Sequence, residues 1–285
     1  MTGTPADGPT AAPPDRPLCL LRGGGDLATG VAWRLTRAGW PVVVCELAAP
    51  LTVRRTVALS TAVTDGIVDV EGLVGRRVDD GATAAAVAAT GDVPVLIAPE
   101  LPDTATLAPD VVIDARLAKR PLDTTIDDAP LVVALGPGFT AGVDCHAVVE
   151  TKRGHHLGRV WWEGSAAPDT GTPGTVGGRG RERVLRAPAD GTARWQVAIG
   201  DRVVADQPIG TVAGAPVVAP FDGVVRGLIA ESVEVTAGLK IGDVDPRVDL
   251  DATHDQISDK ALAVGGGVVE AVLTWLAGER RPSGR

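Results

Sequence analysis

The residues best suited to chemistry lie early in the chain, in a glycine-rich segment that follows a short apolar run. Residues 18–21 are apolar, and residues 22–28 read RGGGDLA. Gly23, Gly25 and Ala28 fit the pattern G-x-G-x-x-A. In that pattern the first glycine allows a tight turn, the second lets a pyrophosphate approach the backbone, and the small third residue lets a helix pack on a strand. The segment therefore predicts a dinucleotide site at a helix N-terminus.

Other polar residues complete the predicted site. Glu46 ends the apolar run 42–45, 21 residues after Gly25, where a carboxylate would accept hydrogen bonds from a ribose diol and favour NAD over NADP. Asp26 would repel a pyrophosphate unless it caps the helix or pairs with a cation. Arg54 and Arg55 are either a phosphate clamp or a solvated basic pair. The predicted cofactor-binding residues are Gly23, Gly24, Gly25, Asp26, Leu27, Ala28, Glu46, Arg54 and Arg55.

A second polar cluster lies in residues 144–159, which hold three of the four histidines and one cysteine. If the segment is extended, Arg153, His155 and Arg159 share one face, and a bend at Gly154 could bring Glu150 to them. We predict that these four side chains form an anion or substrate site where two domains meet; the alternative is a surface ion-pair network. The spacing lacks the paired ligands of a zinc site, so no metal is predicted, and no catalytic residue is identified.

The elements that must position these residues alternate between strands and helices. Residues 27–38 and 82–89 are predicted helices, and the predicted strands are 18–21, 42–45, 93–98, 111–115 and 131–135. This alternation predicts an α/β fold with a Rossmann-like, mostly parallel sheet. Polar residues at the carboxyl ends of these strands are then expected to line the ligand crevice; they are Glu46, Glu100, Asp114 and Arg116.

An internal repeat marks the second half of the chain. APADG at 187–191 recurs as APFDG at 219–223, an offset of 32 residues. Two related halves of short strands predict a barrel-sandwich β domain of the biotinyl/lipoyl type. Its turn, 212–217, has no lysine, so no covalent biotin or lipoate is expected. A helix then runs from 257 to 276, interrupted by Gly265, Gly266 and Gly267, which close packing or a ligand must compensate.

Composition limits the class of protein. The 285 residues are 45% hydrophobic, have a net charge of −9, and contain three widely spaced cysteines. These values predict a folded protein of a reducing cytoplasm that binds neither nucleic acid nor membrane. The predicted organisation is a disordered tail (1–16), a Rossmann-like nucleotide-binding domain (17–163), a Gly/Pro-rich linker or loop (164–182), the β domain (183–248) and a C-terminal helix and tail (249–285).

Six sequence blocks carry a family resemblance. They are GGGDLATGVAWRL (23–35), PLTVRRTVALSTAV (50–63), VEGL (70–73), GPGFTAGVDCHAVVETKRGHHLGR (136–159), KIGDVDPR (240–247) and ISDKALAVGGGVVEAVL (257–273). Together they resemble the YqeB family, accessory proteins of the selenium-dependent molybdenum hydroxylase system. This family is related more loosely to the XdhC/CoxI maturation factors, whose glycine motif lies late in the chain rather than at its start.

The resemblance implies a helper that matures or loads xanthine dehydrogenase-like molybdenum hydroxylases. It implies an apo-hydroxylase as partner and NAD or a molybdopterin dinucleotide as ligand, without a reaction of the chain's own. Two other hypotheses stay open, an NAD-dependent oxidoreductase and a non-catalytic interaction module. The chain has no tyrosine, which excludes a Tyr-x-x-x-Lys reductase. A homodimer is left open.

Overall fold

The computed structural model describes residues 16–103, 106–169, 171, 174, 176–247 and 254–278. The predicted tail 1–16 therefore lies outside the described residues except for Arg16, and so do parts of the predicted linker and of the C-terminal segment. The described chain is a mixed α/β structure, with one large, mostly parallel sheet and two antiparallel sheets.

The large sheet has nine strands. They are β1 (Cys19–Arg22), β2 (Val42–Glu46), β3 (Ile67–Val70), β4 (Leu73–Val78), β5 (Val93–Ile97), β6 (Val111–Asp114), β7 (Leu131–Leu135), β8 (Ala147–Val149) and β9 (Val160–Trp161). Their spatial order is β3-β4-β5-β2-β1-β6-β7-β8-β9, and only the two edge strands, β3 and β9, run antiparallel to their neighbours. The order reverses at β1, which pairs with β2 on one side and β6 on the other. A crevice between β1 and β6 follows from this reversal.

Four α-helices accompany the strands in the described ranges. They are α1 (Asp26–Arg37), α2 (Ala62–Asp65), α3 (Gly81–Ala88) and α4 (Asp259–Leu276). α1 and α4 pack on each other over one face of the large sheet, whose core includes Leu21, Val31 and Val268. α3 covers the other face, where Ala84 meets Val43. None of the helices within the described ranges combines the length and the apolar character needed to cross a bilayer.

The glycine run of α4 does not interrupt the helix, which is continuous from Asp259 to Leu276. A Cβ added at Gly265 would lie 2.5 Å from the carbonyl oxygen of Gly30 in α1. A Cβ added at Gly30 would lie 2.6 Å from the backbone of Ala261, and one at Gly267 would collide with the carbonyl oxygen of Gly158. Close backbone packing therefore explains two of the three glycines, because no larger residue fits at those crossings.

The remaining eight strands form two four-stranded antiparallel sheets, β10-β17-β15-β12 and β14-β13-β11-β16. The strands are β10 (Val184–Arg186), β11 (Gly191–Trp195), β12 (Arg202–Val203), β13 (Pro208–Val212), β14 (Ala215–Val218), β15 (Gly223–Leu228), β16 (Glu234–Val235) and β17 (Lys240–Asp245). Both sheets contribute side chains to one apolar core, which includes Ile209 from β13 and Ile241 from β17.

The sequence repeat is also a repeat of strand pairing. Gly191 in β11 pairs with Val235 in β16, and the equivalent residues of the other copy, Gly223 in β15 and Val203 in β12, pair in the same way. The short strand of each copy therefore pairs with the first strand of the other copy. We call the two antiparallel sheets together the β module.

Candidate functional site

A crevice of about 590 Å³ opens at the carboxyl ends of β1, β2 and β6, where the strand order reverses. Its lining includes Arg22, Gly23, Gly25, Asp26, Leu27, Cys45, Glu46, Leu47, Leu51, Thr52, Pro99, Arg116, Leu117, Leu122 and Asp123. Of the polar residues expected here, Glu46 and Arg116 line the crevice and Asp114 lies buried behind it. Glu100, on an exposed turn, is not among the lining residues.

The glycine turn has a different reason for each glycine. Gly23 has a φ of +94°, and its N–H donates to the carbonyl oxygen of Cys45 at 2.8 Å. Gly24 is tightly enclosed, because an added Cβ would lie 2.9 Å from the backbone nitrogen of Ser60. Gly25 precedes α1, and an added Cβ there would find nothing nearer than the hydroxyl of Thr52 at 3.9 Å. Gly25 is thus the glycine that borders open space.

Glu46 sits beside this turn, as the sequence predicts. Its carboxylate accepts the N–H of Gly24 at 2.7 Å and the N–H of Leu47 at 2.7 Å. Burial raises the pKa of Glu46 above its ordinary value, and these two hydrogen bonds oppose the rise. Each carboxylate oxygen keeps a second lone pair that can accept a hydrogen bond from a ligand.

Asp26 pairs with a cation, and this pairing offsets the repulsion that its carboxylate would exert on a pyrophosphate. Arg54 Nη1 lies 3.0 Å from Asp26 Oδ2. Arg55 points elsewhere, and its Nε donates to the carbonyl oxygen of Leu228 in the β module at 2.8 Å. The two arginines therefore do not converge on one phosphate in the crevice. Ala28 lies buried in α1, where its small side chain allows close packing.

One end of the crevice is a closed network of charged side chains. Arg22 is buried and contacts Asp123 at 2.6 Å, and Arg116 contacts both Asp114 at 2.5 Å and Asp123 at 2.6 Å. Thr124 donates to Asp114 within the same network. The hydrogen bond from Arg22 lowers the pKa of Asp123 to about 2. These groups satisfy one another and make a rigid polar wall.

Beside the glycine turn the lining is apolar and accessible. Leu47, Leu51 and Leu122 are 42%, 52% and 51% exposed, although each is a large hydrophobic residue. All three line the crevice. Exposed leucines gathered at one concave surface are typical of a ligand-binding site. The flat ring of a ligand would cover them and remove their apolar surface from water.

The thiols are not reactive groups. Cys45 lines the crevice, and burial raises its pKa to about 12, as burial also does for Cys145. Both are therefore neutral at physiological pH, and a neutral thiol is a poor nucleophile. In the part of the chain that the structure describes, no three His, Cys, Asp or Glu side chains are grouped so that they could hold a metal ion.

A second cavity, of about 570 Å³, lies between the large sheet and the β module. We call it the cleft. Among the described residues its lining includes seven cationic side chains, Arg54, Lys152, Arg153, Arg183, Arg226, Lys240 and Lys260, and three carboxylates, Asp26, Asp169 and Asp243. This excess of positive charge occurs in a chain whose net charge is −9. The cleft adjoins the crevice, because Asp26, Leu27 and Leu117 line both.

The segment predicted to form an anion site has a different conformation from the one expected. Residues 151–159 form turns, so the shared face of an extended segment does not arise. Arg153 lines the cleft and holds Asp259 of α4 through two hydrogen bonds, at 2.6 and 2.8 Å. Glu150 is buried, and its carboxylate accepts the backbone N–H groups of Lys152 and Ala167.

His155 and Arg159 lie outside the cleft lining and are exposed. The guanidinium carbon of Arg159 lies 5.7 Å from the ring centre of Trp161. Only Arg153 of the four predicted residues thus faces the cleft. The sequence reasoning missed Lys240 and Lys260, although both lie within the sequence blocks that carry the family resemblance.

Comparison with known proteins identifies one curated relative. No protein-family model matches the chain. The chain is 45% identical over 261 residues to a protein of Escherichia coli (strain K12) described as uncharacterized protein YqeB. The match covers 92% of this chain and 48% of that protein, so the chain spans about half the length of the relative.

Two of the solved structures that match this chain illustrate how weak the similarity is. One is a succinylglutamate desuccinylase/aspartoacylase from Rhodobacter sphaeroides, with 16% identity, a TM-score of 0.27, and coverage of 82% of this chain and 86% of that one. The other is an aspartoacylase family protein from Mesorhizobium loti, with 13% identity, a TM-score of 0.26, and coverage of 81% and 85%. Scores this low support no conclusion about activity.

Proposed function

The chain belongs to the YqeB family, and from this premise we propose that it is an accessory protein of molybdenum hydroxylases that binds a dinucleotide in the crevice. The ligand is NAD or a molybdopterin dinucleotide. One observation carries the proposal: Gly25 opens onto the crevice at the start of α1, and the half-buried carboxylate of Glu46 lines the same crevice. A pyrophosphate needs the open backbone, and a ribose diol needs the carboxylate.

The strand order supports this assignment. We propose that β5-β2-β1-β6-β7-β8 is a Rossmann-like sheet, because its order matches the 3-2-1-4-5-6 order of dinucleotide-binding folds. In such folds the ligand lies outside the carboxyl ends of the strands where the order reverses. The crevice occupies that position, between β1 and β6.

The residues of the crevice fit a dinucleotide along its length. The pyrophosphate would lie over Gly25 and the first backbone N–H groups of α1, which no side chain caps. Glu46 would accept hydrogen bonds from a ribose. The exposed Leu47, Leu51 and Leu122 would cover an aromatic base or pterin ring. The chemistry of a molybdenum centre belongs to the client hydroxylase; this chain's residues bind and orient the ligand.

We propose further that the β module is a barrel-sandwich of the biotinyl/lipoyl type that carries no covalent cofactor. The exchanged pairing of its two repeats supports the architecture. The hairpin turn at Ala213 and Gly214, between β13 and β14, has no lysine to modify.

Mass spectrometry of small molecules released from the purified protein tests the ligand class. We expect NAD or a pterin dinucleotide. Calorimetry with NAD⁺ then compares the wild type with Gly25→Val, whose side chain would fill the pyrophosphate position without meeting protein atoms closer than 3.9 Å at Cβ. Gly266→Val is the matched control, because an added Cβ there meets nothing within 4 Å and the residue lines neither cavity.

Gly25→Val should weaken NAD⁺ binding at least tenfold, while Gly266→Val should leave it unchanged. Wild-type affinity in Gly25→Val, with its thermal unfolding also unchanged, would remove the proposed pyrophosphate position. The accessory role is tested separately, by producing a molybdenum hydroxylase with the wild-type chain or with Gly25→Val. If the client gains equal activity with both, the crevice does not serve maturation.

A further inference from the structure

We propose that the cleft is a second ligand site, which binds a small molecule carrying at least two negative charges of the phosphate type. This site adjoins the crevice but is lined mainly by other residues, and the proposal stands without the assignment of the crevice to a dinucleotide. Of the residues predicted from the sequence to bind a cofactor or an anion, the cleft is lined by Asp26, Leu27, Arg54 and Arg153.

The cations of the cleft converge from separate elements. Arg54 follows β2, Lys152 follows β8, Arg226 belongs to β15, Lys240 begins β17, and Lys260 lies in the first turn of α4. Local sequence does not concentrate these charges; the fold does. Since like charges repel, such a gathering is costly unless a bound anion offsets it.

Several of these cations have no close, uncommitted carboxylate among the described residues. The side-chain ammonium of Lys260 makes neither a hydrogen bond nor an ion pair with the residues that the structure describes, and the negative charges of Asp26 and Glu150 act on it only from a distance. Arg226 comes no closer than 3.9 Å to Asp245, which is already held by Arg247 at 2.6 Å. The nearby carboxylate is therefore engaged elsewhere.

Lys240 also lies near a carboxylate that is bound by another side chain. It lies 3.8 Å from Asp243, whose other oxygen is bound by Arg183 at 2.7 Å. Burial lowers the pKa of Lys240 and of Lys260. The environment thus disfavours the charged form of both ammonium groups, which a bound anion would restore.

Two arginines also hold unused donors. Arg54 and Arg183 are each only 7% exposed, and both line the cleft. The Nε of each is buried and has no hydrogen-bond partner within the described part of the chain. A buried N–H without a partner costs free energy, and most such groups in folded proteins are satisfied. A guanidinium presents several donors in one plane, which is the geometry that phosphate oxygens recognise.

The test uses inorganic pyrophosphate as the probe and isothermal calorimetry on the full chain. Lys260→Gln and Arg226→Gln each remove one cleft cation. Arg194→Gln is the matched control, because Arg194 lies on β11 beside Glu231, exposed and outside both cavities. Each cleft variant should weaken pyrophosphate binding about tenfold to a hundredfold, the effect of one charge-assisted hydrogen bond, and the control should not.

Pyrophosphate could instead bind at the glycine turn, and Gly25→Val separates the two positions. If the cleft holds the probe, Gly25→Val keeps wild-type affinity for pyrophosphate, and Lys260→Gln keeps wild-type affinity for NAD⁺. Loss of pyrophosphate binding in Gly25→Val with none in Lys260→Gln would overturn the proposal. So would an equal loss in Arg194→Gln, which would indicate only the general attraction of an anion to positive charge, or no binding to the wild type. Thermal unfolding of each variant identifies any loss that comes from misfolding.

Discussion

Replacing each of the three consecutive glycines of α4 by alanine should change the free energy of unfolding in a direction that depends on the position. Gly266 borders open space, since an added Cβ meets nothing within 4 Å. Alanine is favoured over glycine in a helix by about 1 kcal/mol. We therefore expect Gly266→Ala to raise the free energy of unfolding by about that amount.

Its two neighbours lie against backbone that cannot turn away. At Gly265 the added Cβ would lie 2.5 Å from the carbonyl oxygen of Gly30, and at Gly267 it would collide with the carbonyl oxygen of Gly158. Inserting a methyl group into a packed site costs about 1–3 kcal/mol. The rigid neighbours suggest the upper end, about 3 kcal/mol. Subtracting the helix gain of about 1 kcal/mol leaves each variant destabilised by about 2 kcal/mol.

Urea denaturation followed by circular dichroism measures all three variants on the same scale. Gly266→Ala should unfold at a higher urea concentration than the wild type, and Gly265→Ala and Gly267→Ala at lower ones. The reasoning fails if Gly266→Ala destabilises the protein as much as Gly265→Ala and Gly267→Ala do. Contact of the added Cβ with the neighbouring backbone would then not determine the change in stability. The reasoning fails equally if Gly267→Ala is as stable as the wild type.

Three further outcomes are expected. Arg22 and Arg116 hold the pKa of Asp123 at about 2, below the value of about 3.9 in the unfolded chain. Their ion pairs with Asp123 therefore stabilise the fold fully above about pH 3.9, and this stabilisation is lost as the pH falls towards 2. In urea titrations between pH 4 and 2, the free energy of unfolding should fall less steeply for Asp123→Asn than for the wild type. Glu46 should make NADP⁺ bind more weakly than NAD⁺ in calorimetry, and Glu46→Gln should narrow that difference, because the carboxylate repels a 2′-phosphate. Ser258 caps α4 through a hydrogen bond from the N–H of Ala261, and Ser258→Ala should lower the free energy of unfolding by about 1 kcal/mol in urea.

The sequence predicts the centre of the large sheet better than its edges. The central strands β1, β2, β5, β6 and β7 are nearly uniform apolar runs, because both faces of each are covered. β3 exposes three of its four residues at least partly, and β8 has only three residues in a polar segment. Short or half-exposed strands give no run to detect, so their pairing becomes visible only with the neighbouring strand in place.

The candidate site divides in the same way. One part of the crevice is formed by residues close in sequence: Gly25 and Glu46 both line it, as the motif predicts. The cleft depends on Arg226, Lys240 and Lys260, which only the folded β module and α4 bring to Arg54. No periodicity in the chain indicates that meeting. The expectation of an extended segment at 151–159 did not anticipate the turns found there, in which Arg153 faces α4.

Because α4 follows the β module in the chain and packs against α1, the β module could be deleted without separating these two helices. The β module begins and ends on adjacent strands, since Val184 in β10 pairs with Asp243 in β17. Its entrance and exit therefore lie side by side, as they do in a domain inserted into a host. A short peptide joining these two points could replace the whole module without stretching the chain, and α4 could still pack against α1. The shortened protein would keep the crevice and lose the side of the cleft that the β module forms. Ligand binding by the crevice could then be measured in the absence of the cleft.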